Sequence, residues 1–195
     1  MHDQPKITIG AAEDKARLIQ TLVLSFASDP VSRWSTPKAD EFLANMPGFF
    51  ALFGGKAFDH GTAYVANDGQ AVALWLPPGV DPDEEAMAAA VMEPPHSENL
   101  EDVLNMFGQM AAYHPEEPCW YLPVIGADPA FLGQGLGGAL MKHALRKVDE
   151  DGGIAYLESS NERNVSLYER HGFEVMGEIQ VGTSPVMRPM IRAAR

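Results

Sequence analysis

The stretch LGQGLGG at residues 132–138 sets four glycines, Gly133, Gly135, Gly137 and Gly138, against the start of an amphipathic run. Glycine removes the side chain where a ligand must approach main-chain N–H groups, and amides at a helix start lack intrahelical acceptors while the dipole favours negative charge. This combination suits a pyrophosphate, so a nucleotide-type cofactor is implied. A turn that needs positive φ can explain an isolated glycine, but not glycines this dense. The helix carrying the loop is expected from Leu136, Leu140, Ala144 and Val148, which recur every fourth residue. Met141 and Leu145 widen that stripe, while Lys142, Arg146 and Lys147 face elsewhere.

The elements around the loop can be read from periodicity and turn chemistry. Residues 6–10 alternate like a strand, and residues 13–26 carry Leu18, Leu22 and Phe26 at helical spacing. Asp29-Pro30 is expected to break that helix and residues 34–37 to loop; Phe42, Met46, Phe49, Phe50 and Phe53 suggest a second helix interrupted by Pro47-Gly48. Residues 62–66 and 70–76 are β-rich and flank Asn67-Asp68-Gly69, which predicts a hairpin. Residues 77–118 turn acidic and proline-rich, with helices expected at 84–92 and 100–113 separated by Glu93-Pro94-Pro95. The apolar run 120–127 suits a central strand, in which Pro123 lacks a ladder donor and should mark a bulge or splay. Residues 154–158 predict a further strand, 165–171 a short helix, and 173–181 with 186–191 a final antiparallel pair.

Composition narrows the function. The 195 residues, 46% hydrophobic and 21% charged, fit one folded domain. A formal net charge of −13 argues against nonspecific nucleic-acid binding, which needs Lys and Arg to displace phosphate counterions, and mildly favours a cationic small substrate. Cys119 is the single cysteine and the six histidines do not cluster, so neither a disulfide nor a metal site is expected. No stretch is long and apolar enough to span a bilayer, and the start MHDQPK lacks a signal pattern; a cytoplasmic location is expected.

Two cofactor readings compete. Gly133, Gly135 and Gly138 satisfy G-x-G-x-x-G, and Glu158 follows about 20 residues on, where a dinucleotide fold places its ribose acid. However, residues 128–132 separate the strand from the first glycine, and too few elements follow Glu158 to build a doubly wound sheet. The other reading joins residues 120–127, the glycine loop, residues 154–158, Asn161, Tyr168 and His171-Gly172-Phe173, and this set resembles the GCN5-related N-acetyltransferase (GNAT) superfamily. Its Gln/Arg-x-x-Gly-x-Gly/Ala motif falls on Leu132, Gly133, Gln134, Gly135, Leu136 and Gly137. Leu132 departs from the usual Gln or Arg, a loss on the order of 1 kcal/mol if one net hydrogen bond goes with it. Asn161 to Tyr168, followed by Gly172-Phe173, is similar to the family's second signature, with Asn164 in place of the usual alanine. The segments HPEEPCWYLPVIGADP, YLESSNERNVSLYERHGFEV and AYVANDGQAVALWLPP are similar to the puromycin N-acetyltransferase branch.

The resemblance implies an α/β (α+β) fold, with a mixed, mostly antiparallel sheet of about seven strands flanked by helices and splayed central parallel strands. It implies acetyl-CoA as donor and a small-molecule primary amine as acceptor, with residues 77–118 shaping the acceptor side. Ile125, Gly126 and Ala127 would offer backbone groups to pantetheine and acetyl, and residues 133–138 would hold the pyrophosphate. Asn161, with Asn164 nearby, would bind the pantetheine arm, and Tyr168 would donate a proton to the departing thiolate. Glu158 is the candidate general base, because it ends a strand beside the expected cleft and burial would raise its pKa; water-mediated deprotonation is the alternative. Asp29, Trp34, Trp75 and Tyr121 are candidate acceptor-pocket residues. His114 and Cys119 could suggest a thiol nucleophile, but no orienting third residue is evident. A noncatalytic acyl-CoA-binding module is the rival to an enzyme, and the oligomeric state, monomer or homodimer, is open.

Overall fold

A computed structural model describes residues 4–92 and 99–195. The segment Glu93-Pro94-Pro95 lies outside the described residues, as do His2 and His96. Among the described residues, seven strands form one sheet: β1 (Ile7–Ile9), β2 (Ala63–Ala66), β3 (Ala71–Leu76), β4 (Trp120–Ala127), β5 (Ala155–Ser159), β6 (Glu174–Val175) and β7 (Arg188–Arg192). Their order is β1-β2-β3-β4-β5-β7-β6. Neighbours run antiparallel except β4 and β5, which are parallel. A doubly wound sheet needs consecutive parallel strands, so this order overturns the dinucleotide reading.

Helices α1 (Lys15–Phe26), α2 (Pro30–Ser35), α3 (Ala39–Phe53), α4 (Glu84–Val91), α5 (Leu100–Tyr113), α6 (Leu136–Glu150) and α7 (Glu162–Glu169) accompany the sheet. The period-2 alternation of β3 builds a core on each face. Val72, Leu74 and Leu76 join Leu18, Leu22 and Phe50 of α1 and α3, while Ala71, Ala73 and Trp75 join Leu136, Leu140 and Val148 of α6. The 67–69 turn forms the expected hairpin, with Asn67 and Asp68 tolerating φ of 45° and 56° and Gly69 at 102°.

Three local expectations change. Asp29-Pro30 ends α1 but also starts α2: the Asp29 carboxylate accepts from Ser32 N–H at 2.9 Å and Pro30 occupies the first turn, where its missing donor costs nothing. Pro47 does not interrupt α3, because Phe42, Met46 and Phe50 bury one face of that helix and packing outweighs the lost bond. The strand expected at 173–181 shrinks to Glu174–Val175 plus an Ile179–Met187 bridge. The Tyr113 hydroxyl lies against Gly177, leaving no room there for a Cβ.

At Pro123 the sheet behaves as its residue type demands. Register shifts so that Leu122 and Pro123 on β4 oppose Trp75 alone on β3. The extra residue reverses the alternation: Trp120 and Leu122 face α6, whereas Val124 faces α1. Parallel pairing with β5 stops after Trp120↔Ala155 and Tyr121↔Tyr156, and beyond it the two strands diverge. Gly126 makes the approach of α1 possible, since a Cβ would lie 1.9 Å from Ser25 Oγ.

Candidate active site

The divergence of β4 and β5 opens a cleft of about 940 Å³. Of the residues singled out in the sequence, Ile125, Gly126, Ala127, Leu132, Gly133, Gly135, Leu136, Gly137, Gly138, Glu158, Asn161, Asn164, Tyr168, Asp29 and Trp34 all line it. Gln134 is exposed outside it. Trp75 and Tyr121 are corrections to the acceptor-pocket set. Trp75 is fully buried in the core beneath α6, and Tyr121 is buried behind Glu158 rather than on the cleft wall. Their positions within their strands carry them inside, which isolated aromatics in a sequence do not reveal.

The glycine loop has the properties of an anion cradle. Gly133 and Gly135 sit at φ of 77° and 76°, a region costly to residues with a Cβ, and a Cβ at either would meet only open space. Gly135 caps α6 without a side-chain acceptor, and the first backbone bond onto it comes from Ala139 N–H at 3.0 Å. The amides of Leu136, Gly137 and Gly138 precede that bond at the positive end of the dipole. Between β4 and the loop, Asp128 accepts from Ala130 N–H at 2.8 Å and caps a single 3-10 turn, Pro129–Phe131. The loop therefore stands off the strand end. Leu132, at the motif's first position, is 67% exposed at the cleft rim.

Asn161 caps α7, accepting from Arg163 N–H at 3.1 Å through Oδ1. That bond occupies Oδ1 and leaves the amide nitrogen for a ligand. At the other end of α7, Gly172 takes φ of 87° and Phe173 N–H returns to Tyr168 O at 3.1 Å, closing the helix as a left-handed cap. This folds Phe173 back so that its ring meets Tyr168 edge-on at 6.2 Å, fixing the phenol's position. Tyr168 is 5% exposed, and burial, reinforced by the Asp29 carboxylate, holds its hydroxyl protonated far above the ordinary tyrosine range.

Glu158 projects from β5 on the α1 side, like Tyr156 two residues earlier. Tyr121 donates its hydroxyl to Glu158 Oε2 at 2.8 Å. Burial dominates its ionisation and pushes the carboxyl up to about 7; the Tyr121 hydroxyl pulls it back, though not enough to restore an ordinary acid. The same carboxylate, after burial itself, raises the phenols of Tyr121 and Tyr156 well above 10. His114 packs edge-on against both rings at 4.9 Å and lies 3.8 Å from Cys119 Sγ. The structure thus joins the histidine and thiol, but burial, then Asp81 and Glu158, push Cys119 up to about 11. A thiol so protonated is no nucleophile near neutral pH.

Asp29 is a buried strut. Besides capping α2 it accepts from Ser160 Oγ at 2.7 Å, tying the α1–α2 corner to the end of β5, and burial raises its pKa. Ser160 carried no motif, and neither did Phe49, Phe53, Phe107, Met106 and Met110, which α3 and α5 bring to the cleft from the α1 side. Helical stripes of Phe and Met read as core in a sequence; here their half-buried members form a wall. Among the described residues no group of three or more His, Cys, Asp or Glu could hold a metal, and no helix is long and apolar enough to cross a membrane.

The profile of the acetyltransferase (GNAT) family matches residues 26–173, most of the chain, and the chain belongs to that family. A mycothiol acetyltransferase from Propionibacterium freudenreichii subsp. shermanii is 43% identical over 65 residues, 32% of this chain but only 20% of that protein's length. An uncharacterized N-acetyltransferase of Schizosaccharomyces pombe is 23% identical over 176 residues, 83% of this chain and 71% of that one. Among solved structures, one described as histone acetyltransferase HPA2 and related acetyltransferase from Corynebacterium glutamicum superposes with a TM-score of 0.70 at 24% identity, covering 98% of this chain and 97% of that one. The Drosophila melanogaster polyamine N-acetyltransferase gives 0.68 at 14%, covering 97% and 100%. Arylalkylamine N-acetyltransferase 2 from Aedes aegypti gives 0.69 at 11%, covering 99% and 100%. These likenesses establish the fold.

Proposed function

We propose that the protein is an acetyl-CoA-dependent N-acetyltransferase that acetylates the primary amine of a small molecule by direct attack, working in the cytoplasm and akin to the puromycin N-acetyltransferase branch. One observation carries this reading: a single cleft joins the uncapped start of α6, with its two left-handed glycines, to a carboxyl and a phenol whose protons are both retained unusually well. The open space over Gly133 and Gly135 and the free amides of residues 136–138 fit the cofactor's pyrophosphate. The unpaired inner edges of β4 and β5, with Asn161 and Asn164, fit its extended arm. When bound there, acetyl-CoA supplies a thioester.

The residues divide the remaining work. A carboxylate with a pKa of about 7 is half ionised at neutral pH and can take a proton from the bound ammonium, which frees the nitrogen lone pair for attack on the thioester carbonyl. Tyr168 keeps its proton at the phenol oxygen until a thiolate develops beside it. Transfer is uphill against an ordinary thiol of pKa about 8.5, and the burial that raises the phenol also raises the thiol, which narrows the gap. Main-chain amides at Ile125 and Ala127 are the candidate donors to the acetyl carbonyl.

The test is thiol release from acetyl-CoA with a panel of amines. Tyr168→Phe is expected to slow release about a hundredfold or more while leaving CoA affinity nearly intact; undiminished turnover removes Tyr168 from its role. CoA, and not NAD, is expected to raise Tm. A CoA shift with no thiol release from any amine would favour a binding module over an enzyme.

A further inference from the structure

The two ends of the cleft differ in character. Toward the α6 side it is lined by glycines and main chain, whereas toward Glu158 it is walled by rings and thioethers. Phe49 and Phe53 of α3 pack at 5.3 Å, Phe107 of α5 meets Phe49 at 6.3 Å, and Phe53 meets Tyr121 at 6.0 Å, edge-on. Tyr121 in turn holds Glu158, so this aromatic wall begins one side chain from the candidate base. Met106, Met110 and Phe26 also line the cleft. Phe26, Phe49, Phe53, Phe107 and Met110 are only half-buried, so their apolar surface is left for an occupant.

Negative charge on the cleft walls is sparse. Among the described residues the only carboxylates lining the cleft are Glu158 and Asp29. Both Asp29 oxygens are engaged, one by Ser32 N–H and the other by Ser160. An acceptor with a second ammonium group would therefore bring a cation against rings and thioethers, with no free carboxylate among the described lining residues to meet it. Desolvating an unpaired charge is costly, whereas an aromatic group would bury apolar area and meet ring edges.

Resting on the acetyl-transfer reading, we infer that the acceptor is a monoamine joined by a short alkyl linker to an aromatic or similarly bulky apolar group, seated against Phe49, Phe53 and Phe107, and not a polyamine. The short linker follows from Tyr121, which touches both the base and the first ring of the wall.

The experiment compares kcat/KM for phenethylamine and tryptamine with that for agmatine and spermidine, using the full chain and acetyl-CoA and reading free thiol. The aryl amines are expected to lead by about thirtyfold or more, equivalent to about 2 kcal/mol. Phe107→Glu, on a helix with one side in solvent, is expected to narrow that ratio at least tenfold by placing a carboxylate in the wall. Equal or better use of the polyamines by the unaltered protein overturns the inference and leaves acetyl transfer standing. An unchanged ratio in a folded Phe107→Glu protein overturns the role of the wall. If that variant fails to melt cooperatively, the ratio in the unaltered protein decides alone. Absence of thiol release with every amine removes the acetyl-transfer reading itself, and the inference with it.

Discussion

Replacing Glu158 by Gln should make the protein more stable and less active at the same time. The carboxyl has an ordinary value near 4.5 and is pushed up to about 7 in the fold, a displacement caused first by burial. An acid whose pKa is raised on folding has its stabilising contribution fully present below its unfolded value and loses it as pH rises through the folded value. The window is therefore about pH 4.5 to 7, and above it the folded protein carries a penalty of up to about 3 kcal/mol at 1.36 kcal/mol per unit. Water reaching the residue through the cleft reduces that figure. Gln is neutral at every pH and keeps an oxygen for the Tyr121 hydroxyl. For a chain of this size 1 kcal/mol shifts Tm by roughly 2–4 °C, so Glu158→Gln is expected to melt several degrees higher at pH 8 and with little difference at pH 4.5. Thermal melts across that range, beside thiol-release rates at pH 8, measure both effects. A variant no more stable at pH 8 than at pH 4.5, relative to the parent, would refute the argument that burial sets the carboxyl's ionisation. Undiminished turnover would refute its role as base.

The pH–rate profile of the parent is expected to rise through about pH 7 as Glu158 loses its proton, and Tyr121→Phe should move that midpoint upward by about one unit, since the hydroxyl stabilises the charged form. A midpoint that stays or falls would separate the two residues. Gly135→Ala, at a φ of 76°, is expected to cost about 1–2 kcal/mol in stability and to weaken CoA binding tenfold or more by filling open space in the cradle; titration calorimetry and melting read the two effects separately. Asp29→Ala should lower stability by about 1–2 kcal/mol through the lost α2 cap, and by more if Ser160 finds no new partner, as a denaturant series would show. Cys119→Ser is expected to leave turnover unchanged in the thiol-release assay, because a thiol held up to about 11 takes no part near neutrality.

Much of the glycine-loop side of the cleft is legible in the sequence because its conformation depends on local chemistry. Positive φ at Gly133 and Gly135, the helix stripe of α6, the 67–69 turn and the bulge at Pro123 each follow from residue types within a few positions. The same locality has its limits: Asp29-Pro30 stops α1 as expected, but Asp with Ser32 three residues on also announces the start of α2, and the break expected at Pro47 is overruled by the burial of Phe42, Met46 and Phe50. The aromatic side of the cleft is not legible because it is tertiary. Phe26, Phe49 and Phe107 come from three helices, and nothing in one helix's periodicity says that its half-buried ring faces a ring from another. Trp75 and Tyr121 were misassigned for the same reason, since which face of a strand is walled over depends on its neighbours.

The early end of β4–β5 pairing has a consequence for how such a protein can change over generations. On the acetyl-transfer reading, the grip on the donor would be made of peptide groups and absent side chains, so most substitutions would leave it alone provided the glycines persist. Recognition of the acceptor would then fall to cleft-lining side chains on α1, α3 and α5, each replaceable singly. The two halves of one cavity could on that reading drift at different rates, with new acceptors acquired while the hold on the donor is kept.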